Sequence, residues 1–287
     1  VTTSTTARRG SRWGTILRGV PRWLFIVVSA LVVLPPVAWI LSTSLKLPAD
    51  TIQFPPKWIP DPFSLANYSG IFTPTNIRFF LNSLVYSCGS IVLALAICIP
   101  AAYVATRYRS RRMETVMTGI LVLSMVPAIV VFIALYSMFV KTALINTYPF
   151  LIVVYAAIIC GQTILFIRNF IENIPLEIEE AAAIDGCSRP QILWRIVLPL
   201  IRPGIAAIAI FIFVFVWNDY LVGTVLATTQ DMKTVQNGIV QYLQTGYGAF
   251  WGLFAAFVTV AFIPVLALFS LFQRWFIAGL TSGGVKG

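Results

Sequence analysis

Of 287 residues, 59% are hydrophobic and only 10% are charged, against about 25% charged in an ordinary soluble domain. A water-soluble domain of this size cannot hide that much apolar surface, so the composition indicates a polytopic, all-α integral membrane protein. The net charge of +10 admits either nucleic-acid binding or the positive-inside bias of membrane proteins, and the distribution of charge along the chain decides between them.

Residues 1–22 form a polar arm with Arg8, Arg9, Arg12, Arg18 and Arg22. Its Ser/Thr-rich start is expected to be disordered. Arg8–Arg9 raises the question of an export signal. The apolar run that follows is too long for one, so an uncleaved first span over about Trp23–Leu45 is expected, kinked at Pro35–Pro36. A proline-rich loop leads to a second span over about Phe79–Thr106, in which Asn82, Ser83, Ser87 and Ser90 lie on one polar face. That face should point into the bundle, with Pro100 bending the far end. Arg107, Arg109, Arg111 and Arg112 form a basic loop. A third span is expected over about Val116–Val140, with Pro127 inside it, and a fourth over about Pro149–Ile167, with Gln162. Residues 168–203 form a long polar loop. A fifth span covers about Gly204–Leu226, followed by a polar stretch read as loop to Phe250. A sixth covers about Trp251–Phe272, and residues 273–287 form a tail. The six spans form a single membrane domain, residues 23–272.

Six spans place both termini on one side. That side carries five Lys/Arg in the arm, four in the Arg107 loop, four in the 168–203 loop and two in the tail, fifteen of the chain's twenty. The threefold bias puts the termini and the long loop in the cytoplasm. It also accounts for the basic charge without nucleic acid.

Catalytic and metal chemistry find little support. Histidine is absent. Cys88, Cys98, Cys160 and Cys187 lack close ligand spacing and read as packing residues, so neither a metal nor a disulfide is expected. No paired carboxylates or nucleophile motif argue for a membrane enzyme. No Gly-x4-Gly-Lys-Ser/Thr loop is present to cradle phosphate. The intramembrane ion pairs of a proton-coupled carrier are lacking, with Asp219 the one acid placed in a span.

Within residues 168–203, Pro175 suits the start of a helix. Glu177, Glu179 and Glu180 then lie near its positive end. Ala181, Ala182 and Ala183 favour the helix and form a small-residue crest. Gly186 suits the left-handed conformation that ends it. Ser188 is a good N-cap for a second short helix, and Pro199 and Pro203 turn the chain back into the membrane. An interfacial helix on anionic lipid should be basic. The acidic flank here points instead to a protein partner.

Glu180-Ala181-Ala182, Gly186 after three residues, and Ile196 with Leu198-Pro199 after nine more resemble the EAA loop of ABC-importer permeases. The Trp217-Asn218-Asp219-Tyr220 stretch, Phe63 to Tyr68 and the Gly279 to Gly287 tail are similar to the MalG-type carbohydrate branch. The resemblance implies a six-helix type I importer fold in a bacterial cytoplasmic membrane, with a coupling helix between the fourth and fifth spans. It also implies that Glu180, Ala181, Ala182, Asp185, Gly186, Ile196, Leu198 and Pro199 dock on the ATPase. Gly279, Leu280, Thr281, Val285, Lys286 and Gly287 would reach the ATPase interface. Implied partners are a MalF-type permease chain, two ATPase subunits that use ATP and Mg, and an extracytoplasmic solute-binding protein. No cofactor is expected in this chain. Asn82, Gln162, Trp217, Asn218, Asp219 and Tyr220 are candidates for the solute pathway. For all six the alternatives are interhelical hydrogen bonding or, at 217–220, a gate or receptor-facing surface. A glycerophosphodiester stands as an alternative solute, and a secondary carrier as an alternative function.

Overall fold

The computed structural model describes residues 12–108, 110–142, 144–244 and 250–282, excepting the side chains of 12–22, 121, 124, 128 and 274–282. All regular structure among the described residues is helical. In chain order it comprises α1 (Arg12–Ser44), α2 (Ala66–Ile71), α3 (Pro74–Arg107), α4 (Arg111–Ser124), α5 (Ala128–Phe139) and α6 (Tyr148–Glu172). Then come α7 (Leu176–Ile184), α8 (Arg189–Ile192), a π turn at Leu193–Val197, α9 (Leu198–Leu200), α10 (Arg202–Trp217), α11 (Leu221–Val225), α12 (Val235–Gln244) and α13 (Trp251–Ser282).

Four helical segments are long and apolar enough to cross a membrane: Trp23–Ser44, Pro74–Arg107, Tyr148–Glu172 and Trp251–Gln273. A fifth is completed if Arg189–Leu200 and Arg202–Trp217, bent by 78° at Ile201, form one span. The third expected span is divided. It becomes α4 and α5, of 14 and 12 residues, on either side of Pro127. Proline has no N–H to give the preceding turn and drives the residue before it out of helical geometry. The first span, by contrast, stays helical through Pro35–Pro36.

α3 opens with Thr73, whose Oγ1 accepts the Asn76 N–H at 3.2 Å, and with Pro74 in the first turn, where no partner for its nitrogen is needed. The polar face expected on this helix is buried: Asn82, Ser83, Ser87 and Ser90 are all 1% exposed or less. α3 and α6 form the most extensive helix pairing, and together with α10 they enclose the main apolar core. A second core of Ile71, Phe79, Phe213, Trp217 and Phe257 joins α3 and α10 to α13. α1 packs on α13 and leaves most of its apolar surface uncovered.

At the end of the bundle away from Arg107, side chains close the loops by filling open backbone valences. Asn67 Nδ2 donates to the Ser44 and Lys46 carbonyls at 3.0 and 2.7 Å, just past the end of α1. Asn82 Nδ2 donates to the Asp231 and Lys233 carbonyls at 2.7 and 2.9 Å. Tyr86 donates to Met232 O at 3.0 Å, and Ser83 Oγ accepts the Val235 N–H at 2.9 Å. These bonds lay residues 231–235 along α3. The stretch from Ala227 to Phe250, expected to be loop, therefore contains α12. Val235 and Gly238 are buried on one side of it, and Ile239 and Tyr242 pack against the second core.

Candidate functional site

Two polar interruptions carry the candidate residues. The first is the segment between α6 and α10, at the end of the bundle that also holds Arg107. Pro175 sits at the N-cap of α7. At the other end Gly186 adopts φ +86°. The Gly186 N–H donates to Ala183 O at 3.1 Å and the Cys187 N–H to Ala182 O at 3.0 Å. These nested bonds close the helix in a Schellman motif, which glycine adopts without the Cβ clash that other residues meet. A Cβ at Gly186 would find open space. Backbone conformation alone therefore requires the glycine, and its surroundings are unfilled. Ser188 starts α8, its N–H and Oγ both contacting Gln191 Oε1, at 2.8 and 3.0 Å.

The two faces of α7 differ. Glu180, Ala181, Ala183, Ile184, Asp185 and Gly186 are exposed, with Ile184 86% exposed. Glu179 and Ala182, three residues apart and so on one helical face, are buried at 0% and 7%. Ala182 thus belongs to the inner face and not to the crest, and Glu179 is not part of an acidic flank. Arg107 Nε and Nη2 both reach Glu179 Oε1 at 2.7 Å, and the Tyr103 hydroxyl donates to Oε2 at 2.8 Å. Arg107 Nη2 also donates to Ile171 O at 3.1 Å and Ile174 O at 3.0 Å. From the end of α8 onward, Ile192, Leu193 and Val197 are buried in the main core, and Ile196 and Leu198 pack partly buried against it. Pro199 is half-buried in α9. Sequence reasoning missed Arg107, Tyr103 and the inward turn of Glu179. The spacing alone gave no signal for it, since Glu180 and Ala183 lie three residues apart just as Glu179 and Ala182 do.

The second interruption ends α10. Trp217 is buried; its Nε1–H donates to Ala261 O at 3.1 Å, and its ring stacks on Phe213 at 5.3 Å. It ties α10 to α13. Asn218 is exposed and donates to Val214 O at 2.8 Å. Asp219 Oδ2 accepts the Val222 N–H at 2.8 Å and the Tyr155 hydroxyl at 3.1 Å, so its carboxylate starts α11 while bonding to α6. Asn218, Asp219 and Tyr220 come together with Phe211, Val214, Phe215 and Leu221 around an open concavity of about 580 Å³. Trp217 faces away from it. Asn82 is wholly buried, with both amide protons used and Oδ1 accepting from Tyr148 at 2.6 Å. Gln162 is exposed on α6, outside the lining of that concavity.

In the tail, α13 runs on to Ser282. Gly279, Leu280 and Thr281 lie where backbone but not side chains is described. Val285, Lys286 and Gly287 lie outside the described residues, as do residues 1–11 of the arm.

Comparison with known proteins decides what this arrangement belongs to. The model of a family described as binding-protein-dependent transport system inner membrane component matches residues 97–282. The chain belongs to that family. The match takes in Arg107, α7 and its turn at Gly186, the bend at Ile201 and the Trp217–Tyr220 stretch. The trehalose transport system permease protein SugB of Mycobacterium tuberculosis is 33% identical over 291 residues, covering 98% of this chain and 99% of that one. The sulfoquinovosyl glycerol transport system permease protein SmoH of Agrobacterium fabrum is 33% identical over 266 residues, covering 92% and 93%. A chain from the crystal structure of a bacterial ABC transporter involved in import of the acidic polysaccharide alginate superposes with a TM-score of 0.79. Its identity is 21%, over 96% of this chain and all of that one. That likeness is one of fold; the family itself rests on residues 97–282 and on the permease relatives above.

Proposed function

We propose that this permease forms half of the pathway of an ATP-driven importer for a carbohydrate, and that it receives its energy through α7. The observation that carries the reading is the exposed crest of Glu180, Ala181, Ala183, Ile184 and Gly186, held rigid by a helix-ending turn and backed by a buried face. Small side chains let a partner's backbone approach closely, and Ile184 offers an apolar knob to fill a groove. The chain carries no phosphate-cradling loop of its own, so uphill transport needs an ATPase supplied by another subunit.

Charge supports the orientation. With six spans, fifteen of the twenty Lys/Arg fall on the side that holds α7 and the termini, which supports a cytoplasmic α7. Carbohydrate is supported by the solutes named for SugB and SmoH. The proposed assembly holds a second, related permease chain, two ATPase subunits and an extracytoplasmic solute-binding protein. Asn218, Asp219 and Tyr220 are the proposed pathway residues of this half, because they share the open concavity and offer hydroxyl-binding groups beside aromatic surface. The tail residues Gly279 to Thr281 and Val285 to Gly287 are proposed to meet the ATPase pair.

The test is to purify the permease with whatever co-assembles and reconstitute it with the binding protein. ATP hydrolysis and uptake are then measured across a panel of sugars. The reading expects one sugar class to stimulate hydrolysis and uptake to cease without ATP. Uptake by this chain in vesicles free of any ATPase would establish a secondary carrier instead.

A further inference from the structure

We infer that Arg107 and Glu179 form a transmission joint: they fasten the docking helix to the membrane spans α3 and α6, so that motion of α7 reaches both. This rests on the proposed docking role of α7 and adds a second route beside the chain connection to α10.

The geometry assigns the role. Arg107 is the last residue of α3, and its one guanidinium joins that helix to both α6 and α7. It pairs with Glu179 on α7 at 2.7 Å and closes the Ile171 carbonyl in α6 and the Ile174 carbonyl just beyond it, at 3.1 and 3.0 Å. A cation suits the negative end of a helix. The flat fork of arginine can hold a carboxylate and two carbonyls at once, which the point charge of lysine cannot. Tyr103, one turn back on α3, takes the other carboxylate oxygen at 2.8 Å. Both Glu179 oxygens are therefore held by α3. The side chains are 14% and 0% exposed, so the pair lies largely out of water and is little screened by salt.

The adjacent connection is of another kind. From α8 the chain passes through a π turn and bends by 78° before α10. It is held by apolar packing, with Ile192, Leu193, Val197 and Ile201 buried in the main core. Arg107 and Tyr103 instead fix α7 to α3 through the two carboxylate oxygens of one residue, Glu179. A pull on α7 thus reaches the α3–α6 pair through the Arg107 ion pair, while α10 follows through the bent chain connection. Glu179 points away from the exposed crest, so the joint can be cut without altering the docking surface.

A contact needed only for folding makes a different prediction, and a double variant separates the two. Leaving one charge buried alone is strongly destabilising, whereas replacing both partners by apolar residues of similar size is often neutral. Arg107→Met/Glu179→Leu is compared with Glu179→Gln and with the unaltered protein. Each is purified in the full complex and reconstituted with the sugar-loaded binding protein. The readouts are ATPase co-purification, basal hydrolysis, thermal stability, and solute imported per ATP hydrolysed. The double variant is expected to co-purify with the ATPase, keep basal hydrolysis, melt at a somewhat lower temperature because the Ile174 carbonyl and Tyr103 hydroxyl lose their partners, and lose tenfold or more in solute per ATP. Glu179→Gln, which can keep a hydrogen bond to each partner, is expected to lose two- to fivefold. Normal solute per ATP in a stably assembled double variant overturns the inference, and so does failure of both variants to assemble, since the pair is then a folding contact. If the unaltered protein assembles with no ATPase, the docking reading falls and the joint with it. Normal coupling in the unaltered protein alongside normal coupling in the variants removes the joint alone.

Discussion

The loop from Leu176 to Leu200 and the turn from Trp217 to Tyr220 both interrupt apolar sequence with polar residues, and they divide those residues differently. In the loop, a short helix at the end of the bundle turns one acid inward and its neighbour outward. Glu179 is buried against Arg107 and Tyr103, while Glu180 is exposed. In the turn, the largest side chain goes inward and the three polar ones stay at the concavity. Trp217 fills the second core, and Asn218, Asp219 and Tyr220 line the open space. Polarity alone did not decide direction in either place. Helical phase decided it for α7, because adjacent residues point about 100° apart at 3.6 residues per turn. Hydrogen-bond demand and ring size decided it at the end of α10.

The largest expected effect cuts the inward face of α7. Arg107→Ala leaves Glu179 buried without its cation, which should cost about 3–5 kcal/mol. Thermal denaturation of the purified complex reads this directly. A loss under about 1 kcal/mol would mean that water reaches Glu179 and that the two faces of α7 differ less than the contacts indicate.

A smaller effect addresses the outward face. Gly186→Val forces a branched residue into left-handed geometry at about 1–2 kcal/mol or more. Surrounding space is open, so the chain should still fold. Hydrolysis and uptake should separate, with basal ATP turnover kept and solute import lost. Normal import by this variant would count heavily against docking through the crest.

The smallest stability effects separate the residues of the turn. Trp217→Phe keeps most of the ring packing and removes the hydrogen bond to Ala261, for about 1 kcal/mol, and uptake kinetics should not change. Asn218→Leu should stay within about 0.5 kcal/mol of the parent, as for a surface change, yet raise the KM for uptake. A reversed pattern would move Trp217 into the pathway and Asn218 out of it.

Local features were legible in the sequence. Gly186 and Ser188 act through bonds to residues within five positions, so their roles followed from residue type and spacing. The polar stripe on α3 was equally legible, since its period reports one buried face. The features that were not legible depend on distant partners. That Glu179 and not Glu180 turns inward depends on Arg107, 72 positions away. The bonding of Asn82 depends on carbonyls about 150 positions away, and they turn a candidate pathway residue into a clasp for residues 231–235. Trp217 looked like a sugar-stacking ring because its apolar neighbours hid which side of α10 meets α13. The division at Pro127 shows the limit of hydrophobicity as a guide. The run is apolar, but the backbone does not stay helical there as it does through Pro35–Pro36.

The central claim is that the outward face of α7, and not its inward face, meets the ATPase. A photo-cross-linking side chain placed singly at Ile184, Ala183 or Ala182 in the intact complex tests it most directly. The account predicts adducts with the ATPase subunit from Ile184 and Ala183, and adducts only within this chain from Ala182. Adducts with lipid or with no protein from Ile184 and Ala183 would contradict it, as would an ATPase adduct from Ala182 alone.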